Sequence, residues 1–142
     1  MKMMAMLVFL LVVMAMWPPA ALVSAPQKPE ELAQKSGEVW LALADAGKSA
    51  ESWDEAATYF KHAVTKEKWI DAMKSVRAPL GAVKSRKLQS AKYTTTLPGA
   101  PDGEYVALKY DTSFENKESA VETITMTLDK DGKWRVVGYY IR

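Results

Sequence analysis

The chain predicts an α+β fold: three N-terminal helices packed on a curved, cone-like, four-stranded antiparallel meander. Three observations carry this. Apolar residues recur at helical spacing from Pro29 to Ala78. The period falls to two after Gly81, and clusters of turn residues then divide the remaining chain into four short runs. Helices first and strands afterwards exclude a doubly wound sheet, which needs the two in alternation.

The first helix is predicted to open at Pro29, with Glu30 and Glu31 near its positive end. Leu32, Ser36, Val39, Trp40 and Leu43 share one face, and Gly47 supplies a stop. The second helix is expected from Ser52, because Ser52 and Glu55 have capping-box spacing. Trp53, Ala56, Ala57, Phe60 and Val64 form its stripe. The third follows Thr65, carries Trp69, Met73 and Val76 on one face, and ends at Pro79 and Gly81.

Strands are expected over residues 83–97, 105–114, 120–128 and 134–141. The dense turn Pro98-Gly99-Ala100-Pro101-Asp102-Gly103 separates the first two, and Asp131-Gly132 is a tight-turn signal between the last two. Short connections make all four strands antiparallel neighbours. The helices then cover one face, and the other is partly open to water. Trp53 heads a helical stripe and Trp134 follows the last turn, so both are expected as core anchors.

Residues 1–25 read as a signal peptide whose apolar part is a helix. Met1-Lys2 gives a positive start, Ala5 to Trp17 is apolar and uncharged, Pro18-Pro19 interrupts, and small residues lead to Ala25. This predicts a periplasmic or secreted protein. The alternative is an uncleaved membrane anchor; Pro18-Pro19 and the short apolar run weigh against it. Residues 26–142 are long enough for one domain with its own core and no disulfide staples. With no cysteine there is no lipid-anchored lipoprotein, and after cleavage no stable membrane insertion is expected.

A net charge of +2 is too weak to suggest nucleic acid. The charge is unevenly spread, however. No acidic residue lies between Asp71 and Asp102, while Lys74, Arg77, Lys84, Arg86, Lys87 and Lys92 fall inside that stretch. The pattern fits either a solvated basic edge or a surface for an anion, with an envelope polyanion or an acidic protein as partner.

Catalytic and metal constellations are thin. His62 is the sole histidine and lies off the apolar stripe. With no cysteine beside it, there is no zinc or haem set, and no cofactor is expected. Asp129-Lys130-Asp131-Gly132 lacks the later ligands of a calcium loop and is explained by a hairpin. Gly47-Lys48-Ser49 follows a helix rather than a strand and lacks the earlier glycine of a phosphate loop.

One polar constellation stands out. Glu122 shares parity with Ile124, Met126 and Leu128, and Arg86 shares parity with Leu88. Both charges fall on apolar strand faces, separated by one strand at about 4.8 Å spacing. Arg77, at the end of the third helix, can join them. Charges inside a fold must be paired or hydrated. Arg77, Arg86 and Glu122 therefore form either a structural clamp or the polar end of a site receiving a carboxylate or phosphate.

The sequence resembles a bacterial family, domain of unknown function 4019. The stretches carrying the resemblance include Trp40-Leu41-Ala42-Leu43, Arg77-Ala78-Pro79-Leu80-Gly81, Leu97-Pro98-Gly99-Ala100-Pro101-Asp102-Gly103-Glu104-Tyr105, Asp131-Gly132-Lys133-Trp134-Arg135-Val136 and Gly138-Tyr139-Tyr140-Ile141-Arg142. The resemblance implies export in bacteria and a fold similar to nuclear transport factor 2-like or cystatin-like domains. It implies no catalytic residues. Three functions remain open: a non-enzymatic exported binding module, an enzyme of ketosteroid-isomerase kind with Glu122 as base, and a structural envelope protein. A carboxylate beside two arginines is held ionised and is a poor base, which favours the first.

Overall fold

The structure, a computed structural model, describes residues 19–142. Most of the expected signal segment, including its helix, lies outside the described residues. Residues 19–28 form no regular secondary structure and are exposed. No described helix is long and apolar enough to cross a membrane. Four helices follow: α1 (Pro29–Asp45), α2 (Ser49–Asp54), α3 (Thr58–Ala63) and α4 (Lys66–Arg77). Then come β1 (Val83–Thr94), β2 (Tyr105–Phe114), β3 (Lys117–Leu128) and β4 (Trp134–Ile141), paired antiparallel in the order β1-β2-β3-β4. The α+β class and the meander are as the sequence predicts.

Helix α1 begins with Pro29 in its first turn and two acids beside it. It ends in a Schellman motif: Lys48 N donates to Leu43 O, and Gly47 N to Ala44 O, with Gly47 at φ +72°. That stop leaves Asp45 as the last helical residue.

The buried face of α1 shares only Trp40 with the predicted one. Ala33, Gly37, Trp40, Leu41 and Ala44 face the sheet, while Leu32 and Val39 remain 37% and 69% exposed. Small residues decide this orientation. They let the helix axis approach the strands, and a Cβ added at Gly37 would stand 2.8 Å from Leu108 Cδ1. Reading by large apolar side chains gives weight to Leu32 and Val39 and none to glycine or alanine.

The second predicted helix is divided into α2 and α3. Between them Ala57 turns extended, and its N–H donates to Val136 O on β4 at 2.8 Å. Asp129 Oδ2 then accepts from both Thr58 N and Thr58 Oγ1 at 2.9 Å. The break therefore docks the chain on the sheet. Ser52 is no N-cap; it is fully buried inside α2. Its Oγ donates to Ser49 O at 2.7 Å and accepts from Trp69 Nε1 at 2.9 Å, while its carbonyl accepts from Trp40 Nε1 at 2.9 Å. One serine thus satisfies the polar atoms of two buried indoles. Helix α4 follows Thr65 as expected, with Thr65 Oγ1 accepting from Lys68 N, and buries Trp69 and Met73, but Val76 is 46% exposed rather than on the buried face.

The core joins the inner face of the sheet (Val106, Leu108, Tyr110, Ile124, Met126, Val136) to the helices. Its aromatic centre is Trp40, Trp69 and Phe60; Phe60 meets Trp69 edge-on at 5.0 Å. The expected anchors Trp53 and Trp134 are only partly buried and pack on the rim of this core. Trp53 spends its N–H on Val64 O and has Lys61 and Lys66 over its ring, so it holds α3 to α2. His62 is exposed, as its position off the stripe implies.

Two substitutions test the packing. Gly37→Ala should lower stability despite a helix-propensity gain of about 1 kcal/mol, because overpacking against a fully buried leucine costs about 1–3 kcal/mol. Ser52→Ala strands the Trp69 N–H and should cost about 1–3 kcal/mol. Urea melts read both, and a raised midpoint for either variant would contradict this packing.

Candidate functional site

The three sequence-derived residues meet in one cluster beneath α1. In the sheet register Arg86 stands opposite Thr112, and Tyr110 opposite Glu122, so Arg86 and Glu122 flank β2 on its inner side. Arg86 Nε donates to Glu122 Oε1 at 2.7 Å. Thr112 Oγ1, from the strand between them, donates to the same oxygen at 2.6 Å. Tyr139 OH, from β4, donates to Glu122 Oε2. Both carboxylate oxygens are therefore engaged, and the side chain is 0% exposed.

Asp45 completes the cluster from the end of α1. Its two oxygens accept a forked pair from Arg86, Nη1 to Oδ2 at 2.7 Å and Nη2 to Oδ1 at 2.9 Å. Arg77 Nη2 also reaches Oδ1 at 2.8 Å, and Arg77 Nη1 donates to Tyr139 OH at 3.3 Å. Two arginines thus meet two carboxylates, and the charges balance locally. The Arg77 guanidinium lies 5.2 Å from the Phe114 ring centre, and its buried Nε has no partner. A cleft of about 670 Å³ opens on the Asp45 and Arg77 side, with Lys48 and Lys74 on its wall.

The electrostatics follow from burial and pairing. Burial raises the Asp45 pKa, but hydrogen bonds from Arg86 and Arg77, and their charges, outweigh it and hold the carboxyl below its ordinary 3.8. Burial lowers both arginines' values, and the carboxylate partners, Asp45 foremost, reverse that, so both lie above the ordinary range. Tyr139 is raised well above 10.0 by burial and then by the charge of Glu122. Tyr110 is pushed up to about 12, chiefly by burial.

Sequence reasoning found Arg77, Arg86 and Glu122 and missed Asp45, Thr112 and Tyr139. Thr112 continues the parity of Tyr110 and was legible. Asp45 carries a signal too, because an acid at the negative end of a helix asks for a cationic partner. Tyr139 was concealed by a bulge. Thr125 pairs with Gly138 while Met126 pairs with Val136, so one extra residue shifts the inward parity within β4.

A second feature lies apart from the cluster. The outward stripe of α1 and the β3–β4 hairpin enclose a groove of about 880 Å³. Leu32, Val39, Leu43, Leu128 and Trp134 give it an apolar lining, and Trp40 joins it to the core. Glu122 lines neither the groove nor the cleft. Among the described residues no group of three histidine, aspartate or glutamate side chains is placed to hold a metal ion.

A family model described as "Protein of unknown function (DUF4019)" matches residues 36–139. The chain belongs to that family. The matched span runs from the middle of α1 to Tyr139, so it includes Asp45, Arg77, Arg86, Thr112, Glu122 and Tyr139. A search of curated proteins found no match.

The cluster makes two predictions. Arg86→Ala and Glu122→Ala should each cost about 3–5 kcal/mol, because each strands a buried charge. The double variant should cost less than their sum, with a coupling of about 1–3 kcal/mol in a denaturation cycle. Additive losses near zero would mean that both charges are solvated.

The second prediction concerns pH. Because the folded pKa of Asp45 is depressed, its stabilisation is present above its unfolded value and is lost as pH falls through the folded one. Tyr139 is raised, so its contribution is whole below pH 10.0 and drains away above it. Melting temperature against pH should therefore fall at both ends. Asp45→Asn should flatten the acid limb and Tyr139→Phe the alkaline limb, each with a lower plateau. Limbs unchanged in both variants would remove the cluster as the source of pH dependence.

Proposed function

We propose that this chain is an exported, non-catalytic binding module, that its groove along α1 is the binding surface, and that the Arg–carboxylate cluster is its structural clamp. The observation that carries this reading is the division of labour between the two sites. In the cluster every oxygen of Glu122 and Asp45 already accepts an arginine, threonine or tyrosine donor. Arg86 directs its fork at Asp45, the position that an anionic ligand would take. In the groove, by contrast, Leu32 and Val39 form no part of the core and are open to solvent.

The same facts weigh against Glu122 as a general base. A base must reach a substrate proton, and this carboxylate is sealed beneath three donors. Export rests on the charged start, apolar run and small-residue stretch of residues 1–25. It implies a periplasmic or secreted domain that begins near Pro26.

The test pairs two substitutions with a thermal-shift screen of envelope metabolites and peptides. A compound that raises the melting temperature should lose its effect on Val39→Lys and keep it on Glu122→Gln, each compared with its own ligand-free baseline. The opposite pattern would move the site to the polar cluster and revive the enzyme reading. N-terminal sequencing of the exported chain should start near residue 26; an intact Met1 would favour the membrane anchor.

A further inference from the structure

Resting on the groove as the binding surface, we infer that its occupant is a cationic amphipathic segment of a partner protein, laid along α1. Three features point to this chemistry. The first is the shape of the apolar lining. Leu32, Ser36, Val39 and Leu43 are spaced by four, three and four residues, the seam that one helix offers to another. They run along α1 for most of its length, at about 1.5 Å per residue, so they suit an elongated occupant better than a compact one. Seams of this kind take apolar anchors one helical turn apart.

The second feature is charge. Glu51, Asp54, Glu55 and Glu104 lie on the groove against only Lys133 and Arg135. Arg135 is already committed. Its Nη2 donates to Asp131 at 2.6 Å, and its Nη1 to Glu55, to the backbone O at 3.0 Å and to carboxylate Oε2 at 3.4 Å, so Glu55 is partly neutralised. Asp54 has Lys66 at 2.7 Å, but Glu51 has no side-chain partner among the described residues. The surplus of acid beside the apolar lining complements lysine or arginine on one face of an occupant whose other face is apolar. An acidic or fatty-acid-like occupant would bring its carboxylates against these acids.

The third is preformation. Trp40, which joins the groove to the core, is fixed by its N–H bond to Ser52 O and by edge-on packing against Tyr139 at 5.1 Å. The groove is thus built on rigid elements and does not wait for a ligand to order it.

The experiment titrates the full chain with two labelled peptides that carry leucines on one helical face. One bears lysines on the other face and its counterpart bears glutamates. Fluorescence anisotropy reads the affinity. The lysine peptide should bind about tenfold tighter or more, a difference of about 1.4 kcal/mol, and should weaken as salt rises. Val39→Lys, at a position 69% exposed and so free of the core, should abolish that binding. Glu51→Lys should reduce the preference several-fold.

Equal or tighter binding of the glutamate peptide, lost on Val39→Lys, would overturn the cationic occupant and leave the groove as the binding surface. Binding of neither peptide, or binding indifferent to Val39→Lys, would overturn the groove reading with it. Self-association in sedimentation that Val39→Lys abolishes would assign the groove to a second copy of the chain and overturn the inference.

Discussion

The interaction on which the rest depends is the Arg86 guanidinium held between Glu122 and Asp45. A fully buried carboxylate is tolerated only when its oxygens are filled and its charge is met. Glu122 obtains both from Arg86 on β1, Thr112 on β2 and Tyr139 on β4. The inner face of all four strands is thereby tied at one level. Asp45 then ties the end of α1 to the same guanidinium, and Arg77 brings in the end of α4. The cluster fixes where two helices terminate over the sheet. Its alternating charges leave it little net field to attract a ligand, which is what a clamp requires and a receptor does not.

Close approach of α1 to the sheet is the second constraint. Gly37 has no room for a Cβ against Leu108, and Ala33 and Ala44 flank it on the same face. Turning this small face inward buries Leu41 and Trp40 deeply, and it also turns Leu32 and Val39 outward. The groove is therefore the other consequence of the choice that made the core. A helix with large residues on the inner face would stand farther from the strands and bury the stripe that is now exposed.

Elements set by period and turn chemistry were legible in the sequence, and elements set by tertiary contact were not. The four strands and the Thr65 cap were readable because alternation and capping act over a few residues. The α2–α3 break was not, because it depends on Val136 O and Asp129, which are distant in sequence. Ser52 has the spacing of a cap, yet two indoles claim it for the core. In the cluster, Arg86 and Glu122 betrayed themselves as charges on apolar faces. Tyr139 did not, because the bulge within β4 shifts the count, and the family resemblance supplied no chemistry to correct it. The groove was illegible for a different reason: large apolar residues at helical spacing read as core unless glycine and alanine are allowed to compete.

Cluster and groove are separate sites linked through one side chain. Trp40 packs edge-on against Tyr139, the donor that seals Glu122, and also lines the groove. It pairs with Trp69 at 6.2 Å, and both indoles are anchored through Ser52. An occupant of the groove would therefore meet, at Trp40, a side chain whose rotamer is already fixed. Association spends less on ordering such a wall than on ordering a mobile one, so more of the burial free energy remains as affinity. On the proposed reading the buried polar cluster would serve binding without contacting a ligand: it holds Tyr139, against which the groove-lining Trp40 packs.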